Sequence, residues 1–124
     1  MKITPVLVVP SIEAVLPLWE ALGFARTVEV PHGDALGFVT LKKDDAEVMV
    51  QTLESVRADE PLSLEGRTPV GGTSLFIEVE SLDDAVARLP VGTDVFVAKR
   101  KTFYGATETF LHDAAGNVIV LAQF

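Results

Sequence analysis

The sequence predicts an α+β chain made of two copies of one β-α-β-β-β unit. Three observations carry that prediction. First, the chain repeats itself at an offset of seventy residues: residues 4–13 (TPVLVVPSIE) lie over 74–83 (SLFIEVESLD), and at the same offset 47–50 lie over 117–120. Second, each copy opens with a mostly apolar run that ends in Ser, an apolar residue and an acid, the signal of a strand leading into a capped helix. Third, each copy then returns through short apolar runs separated by turn residues. Two copies of one supersecondary unit imply a pseudo-symmetric fold with its function in the groove between them.

The elements follow in order. Residues 3–9 (ITPVLVV) read as a β-branched strand. Ser11 is placed to cap a helix to about residue 22, because its hydroxyl accepts from free backbone N–H groups of the first turn. Val15, Leu18, Trp19 and Leu22 fall at helical spacing, and Gly23 is the stop signal. Pro17 removes one backbone hydrogen bond inside this helix and predicts a kink. Residues 24–30 read as a strand, 31–34 (PHGD) as a turn, and 35–41 with 47–51 as a hairpin around 42–45. Residues 53–70 carry acids, Pro61, Gly66 and Pro69 and read as a linker with one short helical turn near 54–58. After Gly71-Gly72 the order repeats. The second copy reads as strand 73–79, a Ser81-capped helix 82–89, strand 94–99, loop 100–105, strand 106–112, a turn at 113–116 and strand 117–123. Module one thus spans 1–52, the linker 53–71 and module two 72–124, within a single domain.

Composition narrows the function classes. An apolar fraction of 48% supports a packed interior, and the absence of cysteine excludes disulfides, thiolate nucleophiles and zinc ribbons. No run is long enough to span a bilayer and no basic-then-apolar leader opens the sequence, so the expectation is a cytoplasmic protein with no membrane partner. A net charge of −8 argues against nucleic acid, whose phosphates need Lys and Arg. It mildly favours a neutral or cationic ligand, although solubility is the more ordinary reading of such a charge.

Several short motifs resemble the vicinal oxygen chelate superfamily, also called the glyoxalase / bleomycin-resistance / dioxygenase superfamily. They are Val9-Pro10-Ser11-Ile12-Glu13 running to Leu18-Trp19 and Leu22-Gly23-Phe24; Glu78-Val79-Glu80-Ser81-Leu82-Asp83; and Phe103-Tyr104-Gly105 followed by Glu108, His112-Asp113 and Gly116-Asn117. Their order, spacing and internal doubling cover nearly the whole chain apart from the linker. The resemblance implies an eight-stranded cup. In metal-dependent members, four inward side chains from the first and last strands of each module, typically His, Gln or Glu, hold one divalent ion. Those positions fall here on Thr4, Ser74, Val50 and Val120. Valine has no lone pair to give, and two neutral hydroxyls do not compete with water for such an ion. The cup is therefore expected without a metal or other cofactor, as in the bleomycin-resistance-like branch, whose members bind a bulky ligand without chemistry.

Alternation along the strands then names the expected lining. Thr4, Val6 and Val8 share one face, as do Ser74, Phe76 and Glu78; Val48 with Val50, and Val118 with Val120, are placed on the lining, and Leu7, Val9, Leu75, Ile77, Val79, Met49, Ile119 and Leu121 under the helices. Glu108, carried by the resemblance, is the candidate acid or base. A carboxylate buried without a partner there has a raised pKa, or pairs with a cationic ligand. Glu78 is the second carboxylate, with a strand-end acid reaching solvent as its plainer reading. Phe103 and Tyr104 stand on a loop at the mouth of the cup, where an aromatic can stack on a ligand and Gly105 permits close approach. Trp19 reads as core and His32 and His112 as exposed turn histidines; Lys99-Arg100-Lys101 reads as a solvated basic cluster, with an anionic ligand group met at the loop as its alternative.

Three functions compete on these residues. The first is a metal-free homodimer that binds a small molecule, sequestering a drug or metabolite. The second is an isomerase, lyase or dioxygenase-like enzyme of the same fold with an atypical site. The third is an accessory module whose cup is filled by its own side chains. The modules either close one cup within a chain or exchange between two chains.

Overall fold

The computed structural model describes residues 1–124. Its elements run β1 (Val6–Val9), α1 (Ile12–Ala21), β2 (Ala25–His32), β3 (Ala35–Lys43), β4 (Ala46–Thr52), α2 (Leu53–Asp59), β5 (Ser74–Glu78), α3 (Leu82–Ala87), β6 (Asp94–Lys101), β7 (Thr107–His112) and β8 (Val118–Gln123). The β-α-β-β-β order thus occurs twice. Each set of four strands forms its own mixed sheet, in the orders β1-β4-β3-β2 and β5-β8-β7-β6. The outer strand β1 runs parallel to β4, and β5 parallel to β8; the remaining pairs are antiparallel.

Local chemistry sets the helix ends. The Ser11 hydroxyl accepts from Ala14 N at 3.3 Å and the Ser81 hydroxyl from Asp84 N at 3.2 Å, so both repeat serines cap. At the far end of α1, Gly23 N–H donates to the Glu20 carbonyl and Phe24 N–H to the Trp19 carbonyl. That is a Schellman ending, and it requires the left-handed residue that Gly23 supplies at φ 93°. The hydrophobic contact of this motif is also present: Trp19 and Phe24 meet edge-to-face with centroids 5.0 Å apart. The helix continues through Pro17, which lies on its exposed side. In the segment between the modules, the Thr52 hydroxyl accepts from Ser55 N and starts α2, a 3-10 turn follows at Pro61–Leu64, and Val70 bridges to Val8 beside β1. The segment is therefore more ordered than its composition predicts.

Strand alternation gives each sheet two faces. Leu7, Val9, Val39, Leu41, Val48 and Val50 of the first sheet and Leu111, Ile119 and Leu121 of the second are buried in one common core with Ile12, Val15, Leu16, Trp19 and Leu82 of the helices. The two modules thus share an interior through their helix-covered faces. Their other faces do not meet within the chain: Val6, Val28 and Val30 on the first and Phe76 and Phe96 on the second remain about half exposed.

Here the sequence expectation for β4 is corrected. Alternation at a constant offset places Val48 and Val50 on the lining and Met49 in the core. The register shows the reverse: Val50 opposes Leu7 and Val39 and is fully buried in the core, while Met49 opposes Val6 and Thr40 on the open face. The cause is one residue of turn length. Lys42 pairs with Glu47 across the β3–β4 turn, whereas His112 pairs with Val118 across the β7–β8 turn. The second turn holds one more residue, so the offset between copies, seventy from β1 to β5 and from β3 to β7, is one greater from β4 to β8. Because the strand period is two, that single residue exchanges the faces.

The longer turn is stabilised by its own residues. The Asp113 carboxylate accepts from Ala115 N at 2.9 Å, Asn117 N at 2.8 Å and Asn117 Nδ2 at 2.9 Å, and Asn117 Oδ1 accepts from Thr73 N at 3.1 Å. Gly71 packs against this turn; a Cβ there would stand 2.6 Å from the Ala115 carbonyl oxygen.

Two stability outcomes are expected. Leu41→Ala should cost about 2–5 kcal/mol by denaturant unfolding, since Leu41 is fully buried in the shared core. Gly71→Ala should destabilise more than Gly33→Ala. Both residues have positive φ, but only Gly71 has backbone in the way of a methyl group.

Candidate functional site

The open face of the second sheet is built in three rows of directly opposed residues. Arg100, Glu108, Ala122 and Glu78 form one row, Phe110, Val120 and Phe76 the next, and His112, Val118 and Ser74 the third. The corresponding face of the first sheet carries Phe38, Gln51 and Val8; Thr40, Met49 and Val6; and Lys42 and Glu47. The aromatic side chains of the second face pack on one another. Phe124 lies 6.3 Å from both Phe76 and Tyr104, Phe96 stacks on His112 at 4.3 Å, and the Arg100 guanidinium sits 4.7 Å above Phe110.

Glu108 is the electrostatic centre of this face. It is fully buried, yet both of its oxygens are engaged: Oε1 accepts from Arg100 Nε at 3.0 Å and pairs with its terminal nitrogen at 2.9 Å, and Oε2 accepts the Tyr104 hydroxyl. The hydrogen bond from Tyr104 holds the carboxyl below its ordinary pKa; burial opposes the shift, and the Arg100 hydrogen bond and charge reinforce it. The expectation of a raised value assumed no partner, and the structure supplies two. Glu108 is consequently an ionised acceptor with three of its roughly four lone-pair sites taken by Arg100 and Tyr104, which suits positioning rather than proton abstraction. The same bond keeps Tyr104 protonated by raising its pKa. The loop that carries Tyr104 is closed by reciprocal bonds between Thr102 and Ala106 and turned by Gly105 at φ 90°. Phe103 at its tip is fully exposed and meets Tyr104 edge-on at 5.1 Å.

The other expected residues divide. Phe76, Val120, Ser74 and Glu78 lie on the open face with Glu108, Val120 buried and the other three exposed. Glu78 reaches solvent at the strand end. Val50 belongs to the core, as shown above, and Met49 takes its place. Thr4 precedes β1 and its hydroxyl donates to Glu47 Oε1 at 3.4 Å; the same oxygen takes Lys2 Nζ at 2.9 Å, which lowers the Glu47 pKa. The basic cluster is not simply solvated: Arg100 binds Glu108 and Lys99 binds Asp83. His112 Nδ1 lies 2.9 Å from Asp94 Oδ2. Sequence reasoning missed Arg100, although its eight-residue separation from Glu108 across a hairpin was the available signal. It also missed Met49, Phe110 and Phe124.

The donor set at the four corners is thus a threonine hydroxyl, a thioether, a serine hydroxyl and an alkyl group. Of the carboxylates near them, Glu47 is bound by Lys2 and Glu108 by Arg100 and Tyr104. No group of three acid or histidine side chains converges to hold a metal ion, and these donors do not fit the divalent ion that the resemblance associates with this fold.

Acid titration should expose the role of Glu108. Its lowered pKa means that its ionised form contributes stability above the unfolded carboxyl value, and that this is lost as pH falls through the folded value. The stability gap between wild type and Glu108→Gln, from denaturant midpoints, should be widest near neutral pH and narrow in acid. A pH-independent gap would contradict the assignment.

No protein-family model matches the chain, and no curated protein matches it. Solved structures do. An integron cassette protein from the mobile metagenome of V. cholerae is 22% identical, covers 100% of this chain and 98% of its own, and superposes with a TM-score of 0.71. TioX from Micromonospora sp. ML1 is 18% identical over 99% and 98% of the two chains, with a TM-score of 0.75. A glyoxalase/bleomycin resistance protein/dioxygenase from Nocardioides is 14% identical over 100% and 83%, with a TM-score of 0.73. The chain therefore has the fold of the glyoxalase/bleomycin resistance protein/dioxygenase proteins, the vicinal oxygen chelate superfamily its motifs resemble.

Proposed function

We propose that the protein is a small-molecule-binding homodimer that holds its ligand without a resident metal ion, as a cytoplasmic protein sequestering a drug or metabolite. The observation that best supports this is the pair of open sheet faces. Within one chain each is half of a cup wall, and the modules cannot close on each other because their opposite faces already share a core. Module one of one chain facing module two of its partner completes the cup, and a two-fold axis makes two of them.

The two halves differ in chemistry. One is mostly aliphatic, with Val6, Val28, Val30 and Met49; the other is aromatic, with Phe76, Phe110, Tyr104 and Phe124. A largely apolar wall with a few polar points is the usual character of a small-molecule site. Thr4, Ser74 and Gln51 supply polar points, Phe103 stands at the rim, and Glu108 acts through the Tyr104 ring it orients. Relatives of this fold are named for bleomycin resistance and for dioxygenase activity. The donor-poor corners and the Glu108 carboxylate held by Arg100 and Tyr104 favour binding over catalysis.

Light scattering should give twice the 13.3 kDa of one chain. Val30→Asp should shift that mass toward the monomer while leaving the Trp19 environment intact, because Val30 lies on the open face and Trp19 in the core. A wild-type monomer at micromolar concentration would overturn the dimer. Stoichiometric Ni, Zn, Mn or Fe in purified protein would overturn the metal-free reading. In a thermal-shift panel, a true ligand at about a hundred times its Kd should add about 2.7 kcal/mol of stability.

A further inference from the structure

We infer that the cup takes a flat aromatic carboxylate, its acid group held by Arg100 and its ring laid against the aromatic wall. The inference rests on the reading of the open faces as a binding cup and names the chemistry of what enters it. It starts from the way Arg100 is used. A guanidinium has two edges that each offer a pair of N–H donors to a carboxylate. Arg100 spends one edge on Glu108: Nε donates to Oε1 at 3.0 Å, and Nη2 lies 2.9 Å from the same oxygen. The outer edge, formed by Nη1 and the second N–H of Nη2, has no partner in the chain, and the side chain is half exposed.

An ordinary surface arginine loses rotamer freedom when it binds anything. This one is already fixed. Glu108 beneath it is fully buried, and the guanidinium carbon lies 4.7 Å from the centre of the Phe110 ring. The free edge is therefore held at the margin of the aromatic row, and an anion that meets it costs little further ordering. Local charge supports the same sign. The net charge of −8 is unevenly placed: no acid lies between Asp94 and Glu108, and Lys99, Arg100 and Lys101 all fall inside that stretch. Glu108 is itself answered by Arg100 and Tyr104. Glu78, the remaining acid of the row, stands on the opposite edge strand, with β7 and β8 between. Three strand spacings put it roughly 14 Å away, beyond the reach of an unscreened repulsion.

The rest of the wall identifies the body of the ligand. Phe76, Tyr104 and Phe124 are each about half exposed, and Phe124 lies 6.3 Å from both of the others. They offer ring surface to a planar molecule, which stacks or meets them edge-on. Phe110 follows Glu108 by two residues on β7, one row in from Arg100. That step is roughly 7 Å along a strand, so an acid attached directly to an aromatic ring system reaches the guanidinium while the rings lie on the row.

The test is amide NMR on the full-length protein with 2-naphthoate, against 2-naphthalenemethanol as the uncharged molecule of similar shape. Saturable shifts at Phe76, Phe110 and Tyr104 are expected with both, the carboxylate binding about tenfold more tightly, the range of a charge-assisted hydrogen bond. Arg100→Gln with Glu108→Gln removes both charges together and leaves no buried carboxylate unpaired, so the two compounds should then bind alike. Arg100→Lys keeps a charge beside Glu108 but has no second edge, and should cut the preference to about twofold. Lys99 binds Asp83 of α3, and Lys99→Gln should leave the preference intact. Equal affinity in the wild type, a preference that survives the paired substitution, or the same loss from Lys99→Gln would each overturn this inference and leave the cup standing. Failure of both compounds to shift the wall would overturn it together with the cup. A monomer that still prefers the acid through Arg100 would uphold it and sink only the dimer.

Discussion

The common core of the two modules is the constraint on which the other features rest. Each sheet has one face covered by its own helix, and both covered faces are buried with Leu7, Leu41, Trp19, Leu82, Leu111 and Ile119 in one interior. Once those faces are spent on each other, strand alternation leaves Val6, Val28, Val30 and Phe76 on the outside. A monomer therefore carries two half-walls and no enclosed cup. The shared core also brings the end of α1 next to the start of α3, with a cleft between them.

On the second face, Glu108 is the pivot. A buried carboxylate is tolerable only when charge and hydrogen bonds answer it, and here Arg100 and Tyr104 answer both oxygens. The group ties strand β6 to strand β7 and fixes the aromatic loop above them. Arg100 in turn lies over Phe110, so the cation contributes to the aromatic packing as well as to the pair. Such a network organises the surface around it.

Much of this was legible in the sequence, and the exceptions have physical causes. The two Ser-capped helices, the Gly23 stop and the two-fold repeat of strands were readable because each depends on local chemistry. The buried position of Trp19 followed from helical spacing. The faces of β4 were misread because the repeat was taken at a constant offset, whereas the turn held by Asp113 and Asn117 is one residue longer than its counterpart. No periodicity inside β4 could reveal that, since Val48, Met49 and Val50 are all apolar. The pKa of Glu108 was misjudged for a related reason: its partners lie on a neighbouring strand and a loop, and one of them was hidden in a run of three basic residues.

The divergence of the halves also bears on how two chains meet. The row Phe110–Val120–Phe76 corresponds to Thr40–Met49–Val6, and Glu108–Ala122–Glu78 to Phe38–Gln51–Val8. If each face sought its own kind, the first would need one two-fold axis and the second another, and chains would join without end. If each face meets the unlike one across a single axis, two chains satisfy all four faces and the assembly closes. A chain with both faces exposed and no enclosed cup is therefore best served by the unlike pairing. That pairing also sets an aliphatic wall opposite an aromatic one, so that a ligand between them meets two chemistries rather than one.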